Sequence, residues 1–545
     1  YSMKFLSVTA ALIIVFITHS QKESPKIVIG IVVDQMCYDY LYRFEKNYSK
    51  RGFKKLMSNG SHLKNMHFNY IPTYTGPGHA SIYTGTTPRN HGIIANDWLE
   101  RSSLQNVNCV SDNGVKGIES SALYGKSSPH RLNVQTVTDQ LKKSYPKSKV
   151  ISISIKDRGA ILPGGHNSDG TYWFDYGKGT FITSSYFKTK LPKWLQDFNE
   201  NNNAASYADV WTPLLKESAY SAIDNSPYEK ILAGKTTPTF PYDIPNLCKT
   251  SASLQPFTMS PFANTLLTDL ALDAIEHEHL GIDESPDMLC ISYSSPDIAG
   301  HAFGPDSKEI EDMYIRLDLE LARFLESLEK LFGKDGFILF LTADHGVVPV
   351  PQKLVDDGFS GGYVFVDQMI HQLRASCIEK FGVDFILGQD NLNIYLDYNL
   401  MNNHKDSINQ DQILSLFEEE LLNIDGLKQT ARRSELMKGI QHKGPLVQML
   451  FEGFDPKRSG DLLLILESGY LPKSTLSLNP HQGTSHGSGY SYDTHVPCLW
   501  YGGGIRKNEI LEPLNITDIG PTLLELLNLP RLESMVGSTI KAIKP

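Results

Sequence analysis

Three apolar runs that each end in acidic or imidazole side chains constrain this chain more than any other feature. KIVIGIVV (26–33) ends at Asp34. DMLCISYS (287–294) continues into SPDIAGH, which carries Asp297 and His301. GFILFLT (336–342) continues into ADHG, which carries Asp344 and His345. Short continuous apolar runs bounded by turn residues read as strands covered on both faces, the pattern of a parallel sheet. KVISISI (149–155) reads the same way, and VPCLWYGG (496–503) supplies a fifth strand. Helical patterns separate them, among them FANTLLTDLALDAIEHE (262–278) and EIEDMYIRLDLELARFLESLEKLF (309–332). Strands alternating with helices predict an α/β fold with a doubly wound, mainly parallel sheet. Such sheets bind ligands beyond the carboxyl ends of their strands, so the three runs deliver their side chains to one edge.

Each set is weak alone. An Asp after a strand is most often a turn residue. Asp297 and His301, four apart, share one helix face and read equally well as a solvated pair. Asp344-His345 is stronger, because burying that pair without a partner is costly. Carboxylate oxygen together with imidazole nitrogen suits zinc, whereas oxygen alone would suit magnesium or calcium. Five ligands exceed what one tetrahedral zinc holding a substrate can use, and suit two metals about 4 Å apart. A further histidine is needed, and HQGTSHGSGYSYDTHVP (481–497) offers His481, His486 and His495.

The stretch TYTGPGH (73–79) reads on its own as a turn before a helix start, and beside metal ligands it can present a nucleophile. Gly76 and Gly78 permit close backbone approach, and Pro77 suits a first helical turn. Thr75 then stands at a helix N-terminus, where free N–H groups favour an anion. Metal coordination can activate its hydroxyl. Thr73 is the rival, set back before Tyr74, and His79 reads as a helix-start residue. If the 149–155 strand continues, Lys156 and Arg158 share one of its faces. Alone they read as a surface pair beside Asp157. Asn96 in NHGIIANDW (90–98) is an amide donor or a turn residue.

Charge and targeting narrow the class. With 545 residues and a net charge of -10, the chain lacks the basic footprint of a nucleic-acid binder. From Met3, one lysine precedes an apolar run of about 13 residues, a secretory signal pattern too short for a membrane span. Residues 1–20 are therefore expected to be a cleaved signal peptide, with Tyr1 and Ser2 an upstream remnant. This pattern implies a periplasmic or secreted protein without stable membrane insertion. The six cysteines show no CxxC spacing and define no pairing. Residues 21–545 are expected to form one catalytic domain with a cap-like insertion of loops and short helices at about 168–261. A second insertion, an α/β subdomain, is expected at about 350–481.

VVDQM, T-x-PGH, YTGTTP..HGI..NDW, KDRGAI, SPD..GH..GP, TADHG and SHGS together resemble the alkaline phosphatase superfamily, specifically its PafA-type alkaline phosphatases. The likeness runs through essentially the whole mature chain. It implies two Zn2+. Asp297, His301 and His486 would hold the one at the leaving group; Asp34, Asp344, His345 and the Thr75 oxygen would surround the one at the nucleophile. Asn96, Lys156, Arg158 and a backbone N–H near Thr75 would contact the phosphate. The residue after the nucleophile is often Cys in that family and is Gly76 here. The implied reaction hydrolyses small-molecule phosphate monoesters through a phosphothreonine; oligomeric state is open, and a monomer fits. Two other readings compete: a nucleotide pyrophosphatase/phosphodiesterase, and a secreted metal- and phosphate-binding protein without turnover. Lys156 and Arg158 favour the monoester dianion over the diester, and an intact Thr75 with full ligands favours turnover.

Overall fold

The computed structural model describes residues 25–121, 124–439, 444–477, 479 and 481–544, so the expected signal peptide lies outside the described residues. The centre is an eleven-stranded sheet. Its middle is parallel: Ile27–Val33 lies between Asp287–Tyr293 and Phe337–Thr342, and Val150–Ser154 pairs with the far side of Asp287–Tyr293. Every residue of these four strands is buried, as their continuous apolar patterns require. Helices cover the sheet, notably Pro261–His277 and Lys308–Phe332. The register aligns Val33 with Tyr293 and Val32 with Thr342. The carboxyl ends are thus level, and the residues just beyond each strand emerge at one edge.

Three expectations need correction. The Val150–Ser154 strand stops before Lys156, which instead caps the helix Asp157–Gly164. The Lys156–Arg158 pair is therefore presented by a helix start, not by strand alternation. His495–Gly502 joins the sheet antiparallel to Phe337–Thr342, so continuous apolarity marked its burial but not its direction. The 168–261 stretch is more than loops and short helices. Gly170–Asp175 and Thr180–Ser184 form a hairpin that extends the central sheet, with Asp175 Oδ1 accepting the Gly177 N–H across the turn. The glycine-bearing turn between two alternating runs is a hairpin signal that an aromatic-rich composition obscured.

Between 350 and 481 a second sheet pairs Ile386–Asp390, Asn393–Leu396, Leu462–Leu466 and Leu427–Arg432, all antiparallel. Helices Val366–Phe381 and Gln410–Leu421 contribute to its own core, which includes Leu373, Cys377, Ile413, Phe417 and Leu464. The C-terminal stretch returns to the central sheet through Leu514–Asn515, which pairs with Ser61–His67. All six cysteines are free.

Candidate active site

The level strand ends gather the acidic residues. Asp34 extends the first strand, its N–H bonding the Tyr293 carbonyl at 3.0 Å. Gln35 comes next in a left-handed conformation, with φ 66°. Its backbone N–H donates to Asp344 Oδ1 at 3.1 Å and its amide to Asp297 Oδ1 at 2.6 Å. One glutamine thereby ties together the carboxylates of the other two strand ends. Asp297 lies in the first turn of the helix Ser295–Phe303 and His301 in its last. His301 Nε2 is 3.2 Å from Asp297 Oδ1, and His486 Nε2 is 3.6 Å from the same oxygen. His345 Nε2 is 3.4 Å from Asp34 Oδ1 and 3.6 Å from Asp344 Oδ2. His481 instead meets the Tyr363 ring, and His495 bonds the Lys64 carbonyl.

Two ligand groups result: Asp297 with His301 and His486, and Asp34 with Asp297 and His345, each with its ligand atoms within 4.8 Å of one another. Asp297 thus belongs to both. Asp344, expected in the second group, stands beside it and is also 3.3 Å from His79 Nδ1. His79 is no mere helix-start residue: its ring also bonds the Thr75 carbonyl and Ser292 Oγ, each at 2.9 Å.

The donor set fits divalent cations. In each of His301, His345 and His486, Nδ1 bonds a backbone carbonyl, of Thr484, Gly346 and Thr73 respectively. Nδ1 must then carry the proton, leaving the Nε2 lone pair facing the carboxylates. Burial and the neighbouring His345 hold the His486 pKa well below its ordinary value, which keeps the ring neutral. A lone pair aimed at carboxylate oxygens is repulsive without a cation between them. Asp34 Oδ1 and Asp344 Oδ2 are buried with no hydrogen-bond partner among the described residues. Burial, with Asp297 and Asp344 close by, raises the Asp34 pKa well above the carboxylate range.

Thr75 opens a ten-residue helix, Thr75–Thr84, that is buried along its whole length. Its Oγ1 is 3.4 Å from His345 Nε2 and 3.5 Å from Lys156 Nζ. Thr73 turns away, donating to the Ser488 carbonyl. Lys156 Nζ lies 2.6 Å from Asp34 Oδ2 and also donates to Asp297 Oδ2. Burial works against its charge, but Asp297 and Asp34 together raise its pKa and keep it an ammonium. Asn96 Oδ1 accepts the Gly76 N–H at 2.7 Å. That bond occupies the Gly76 N–H, one of the backbone donors near Thr75, and it leaves the Asn96 amide N–H groups as donors. Among the described residues the Arg158 side chain, 20% exposed, pairs only with Asp157, at 3.8 Å, and its Nε has no hydrogen-bond partner.

Gly78 lets the nucleophile helix reach this cluster. A Cβ there would stand 2.3 Å from the Asp344 carbonyl oxygen and 2.7 Å from Asp344 Cβ. Alanine inside a helix ordinarily gains about 1 kcal/mol over glycine. Here overpacking reverses the sign, and Gly78→Ala is expected to destabilise the fold by about 1–3 kcal/mol. Because the clash falls on Asp344, kcat should fall by at least about 10-fold in the folded enzyme. Thermal unfolding and steady-state kinetics on the same preparation check both.

A buried hydroxyl beside an ammonium, within a carboxylate–imidazole nest at the carboxyl edge of an α/β sheet, defines a metal-dependent phosphoryl-transfer hydrolase. Comparison with known proteins gives the family. The model of the type I phosphodiesterase / nucleotide pyrophosphatase family matches residues 28–489. Alkaline phosphatase PafA of Elizabethkingia meningoseptica is 38% identical over 526 residues, spanning 95% of this chain and 94% of that one. Alkaline phosphatase PhoV of Synechococcus elongatus is 36% identical over 524 residues, spanning 95% and 92%. A crystal structure of alkaline phosphatase PafA superposes with a TM-score of 0.90 over 96% of this chain and 99% of that one, at 38% identity. The chain belongs to the type I phosphodiesterase / nucleotide pyrophosphatase family and, within it, to the PafA-type alkaline phosphatases. It is a phosphatase, an enzyme that hydrolyses phosphate monoesters.

Sequence reasoning missed Gln35, the second role of His79, and the three carbonyls that orient the imidazoles. The histidines were legible because their residue type announces ligand chemistry. A glutamine or a backbone carbonyl carries no such signal until the fold brings it across 262 or 413 residues of chain.

Proposed function

We propose that the chain transfers the phosphoryl group of a small-molecule monoester to Thr75 and then to water, with two zinc ions held by the two ligand groups. The observation that carries this reading is the Thr75 hydroxyl, buried and within 3.5 Å of both His345 and Lys156. In this reading Asp297, His301 and His486 hold the ion on the leaving-group side, and Asp34, Asp344 and His345 the ion at the nucleophile, with Asp297 near both. Bound zinc would supply a lowered hydroxyl pKa and neutralisation of charge on the departing oxygen.

The chain's own groups do the rest. Thr75 Oγ1 forms a bond to phosphorus as the bond to the leaving oxygen breaks, giving phosphothreonine and an alcohol. Water then attacks phosphorus, the Thr75–phosphorus bond breaks, and inorganic phosphate leaves with the Thr75 hydroxyl restored. Lys156, Arg158 and the Asn96 amide donors position the non-bridging oxygens and offset their charge. His301, whose side chain is 35% exposed, is the most open of the proposed ligands, which supports departure of the alcohol on its side. A small cleft lined by Tyr74, Leu392, Leu464, Tyr470, His486 and Tyr490 lies between the nucleophile's approach and the 350–481 segment. It supports reading that segment as an insertion that shapes access to one catalytic domain of residues 21–545.

The signal-like N-terminus supports a periplasmic or secreted location. Among the described residues, no helix is long and apolar enough to cross a membrane.

A chelator tests the metal reading. Dialysis against one should lower kcat/KM for an aryl phosphate monoester by more than about 10³-fold, because nucleophile activation and charge neutralisation are lost together. Zinc should restore activity to the dialysed protein, and calcium or magnesium should not. Full activity with zinc-free protein would end this reading.

A further inference from the structure

His345 and His486 come from segments 141 residues apart, yet their rings stack with centroids 3.4 Å apart and planes within 10°. Each ring belongs to a different ligand group, so their spacing helps set the spacing of the two metal positions. The two segments bond each other directly before His486, Val348 N–H to the Ser485 carbonyl at 3.2 Å and Thr484 Oγ1 to the Val348 carbonyl at 2.6 Å, and after His486 they are bridged through Asp493. Asp493, in the short helix Ser491–Thr494, is 1% exposed. Its Oδ2 accepts the N–H of Gly487 at 3.1 Å and of Ser488 at 2.7 Å, the two residues after His486. Its own carbonyl accepts the N–H of Gly346 at 2.7 Å, the residue after His345, and the adjacent Tyr492 carbonyl accepts that of Val347 at 3.0 Å.

The grip extends to the nucleophile. Gly487 has a φ of 126°, which turns consecutive N–H groups toward one oxygen, and a Cβ there would meet the Tyr74 ring at 2.5 Å. Thr73 Oγ1 donates to the Ser488 carbonyl at 2.9 Å, and His486 Nδ1 donates to the Thr73 carbonyl at 2.7 Å. The loop that Asp493 fixes is therefore hydrogen-bonded directly to the segment leading into Thr75.

We propose that Asp493 is a positioning residue of the metal centre: it clamps the segments after His345 and His486 and so fixes the separation of the two ligand groups. This rests on the reading that His345 and His486 hold metal. Burial raises the Asp493 pKa to about 7 against the pull of the Ser488 and Gly487 hydrogen bonds. The position thus accommodates an uncharged side chain, and an Asn there keeps an oxygen for the two N–H groups.

The experiment compares Asp493→Ala and Asp493→Asn by zinc competition against a chromophoric chelator, by kcat and KM for an aryl monoester, and by melting of the zinc-free protein. Asp493→Ala should lose about 10- to 100-fold in zinc affinity and in kcat, the range for removing a group that orients a metal ligand. KM should change far less. Asp493→Asn should recover most of both losses. A merely structural role would lower the melting temperature and leave zinc affinity and kcat of the folded enzyme unchanged, which overturns the proposal. An Asn variant that itself loses about 10-fold or more in zinc affinity relative to wild type also overturns it, and this outcome can be read even if Asp493→Ala does not fold. His486→Ala separates the two levels. If it keeps both zinc ions, the metal reading itself fails; if it loses one while Asp493→Ala binds zinc like wild type, only the positioning role falls.

Discussion

Thr75→Ala is expected to lower kcat/KM for an aryl phosphate monoester by on the order of 10⁴-fold, equivalent to about 5.5 kcal/mol of transition-state stabilisation. The reason is geometric. Thr75 Oγ1 is a buried hydroxyl facing an imidazole that also approaches Asp34, and an ammonium that also bonds Asp34. Removing it deletes the atom that forms the bond to phosphorus and leaves Lys156 and the ligand groups in place. What survives is direct attack by water in a site still built to stabilise the same charge, which is why the loss is large but finite. Thr75→Ser keeps the hydroxyl and should restore most of the rate. The size of the loss alone does not establish a nucleophile, so a second measurement is needed. Acid quenching during turnover should trap one phosphoryl group on the Thr75-containing peptide of wild type and of Thr75→Ser, and none on Thr75→Ala. Full turnover by Thr75→Ala, or phosphate trapped on another residue, would remove Thr75 from the chemistry.

The same residues show how far a sequence reaches toward such a site. Asp34, Asp344 and His345 are legible because an apolar run fixes where a strand ends, and a parallel sheet with level carboxyl ends then places the next residues of each segment together. The observed register, Val33 beside Tyr293 and Val32 beside Thr342, is the quantity that inference needs and cannot read. Lys156 and Arg158 are reached through an incorrect local structure. Period-two alternation extends past Ser154 only in the sequence pattern, whereas the backbone there turns into a helix. The turn has a local sign in Asp157 at the first helical position, but the apolar strand pattern dominates it. His486 is singled out among three histidines mostly by resemblance, the one local sign being its small-residue setting between Ser485 and Gly487, which allows close approach to a metal. What stays illegible is the layer beneath the ligands. Gln35 and Asp493 act through bonds to segments hundreds of residues away or to a loop whose shape depends on Gly487. Their chemistry is generic, and only tertiary placement gives it a role.

Lys156→Ala tests which ester the site is built for. A monoester dianion carries about one more negative charge than a diester, so a cation facing the non-bridging oxygens is worth more to the monoester. Lys156 is 8% exposed and held charged by Asp297 and Asp34 against burial, so the missing charge is poorly replaced by water. Its loss should lower kcat/KM for an aryl monoester by about 10²- to 10³-fold, and that for the matched diester by under about 10-fold. The differential of at least about 10-fold corresponds to at least about 1.4 kcal/mol. The zinc-free protein carries an independent signature. Removing the ammonium breaks its buried ion pairs with Asp34 and Asp297, and breaking such a pair costs about 3–5 kcal/mol. Zinc-free Lys156→Ala should therefore melt well below zinc-free wild type, and the gap should narrow when zinc is added, because cations again face those carboxylates. Equal losses for the two esters would make Lys156 a general electrostatic support and leave monoester preference to Arg158 and Asn96. A wild-type preference for the diester would overturn the assignment of this site to phosphate monoesters.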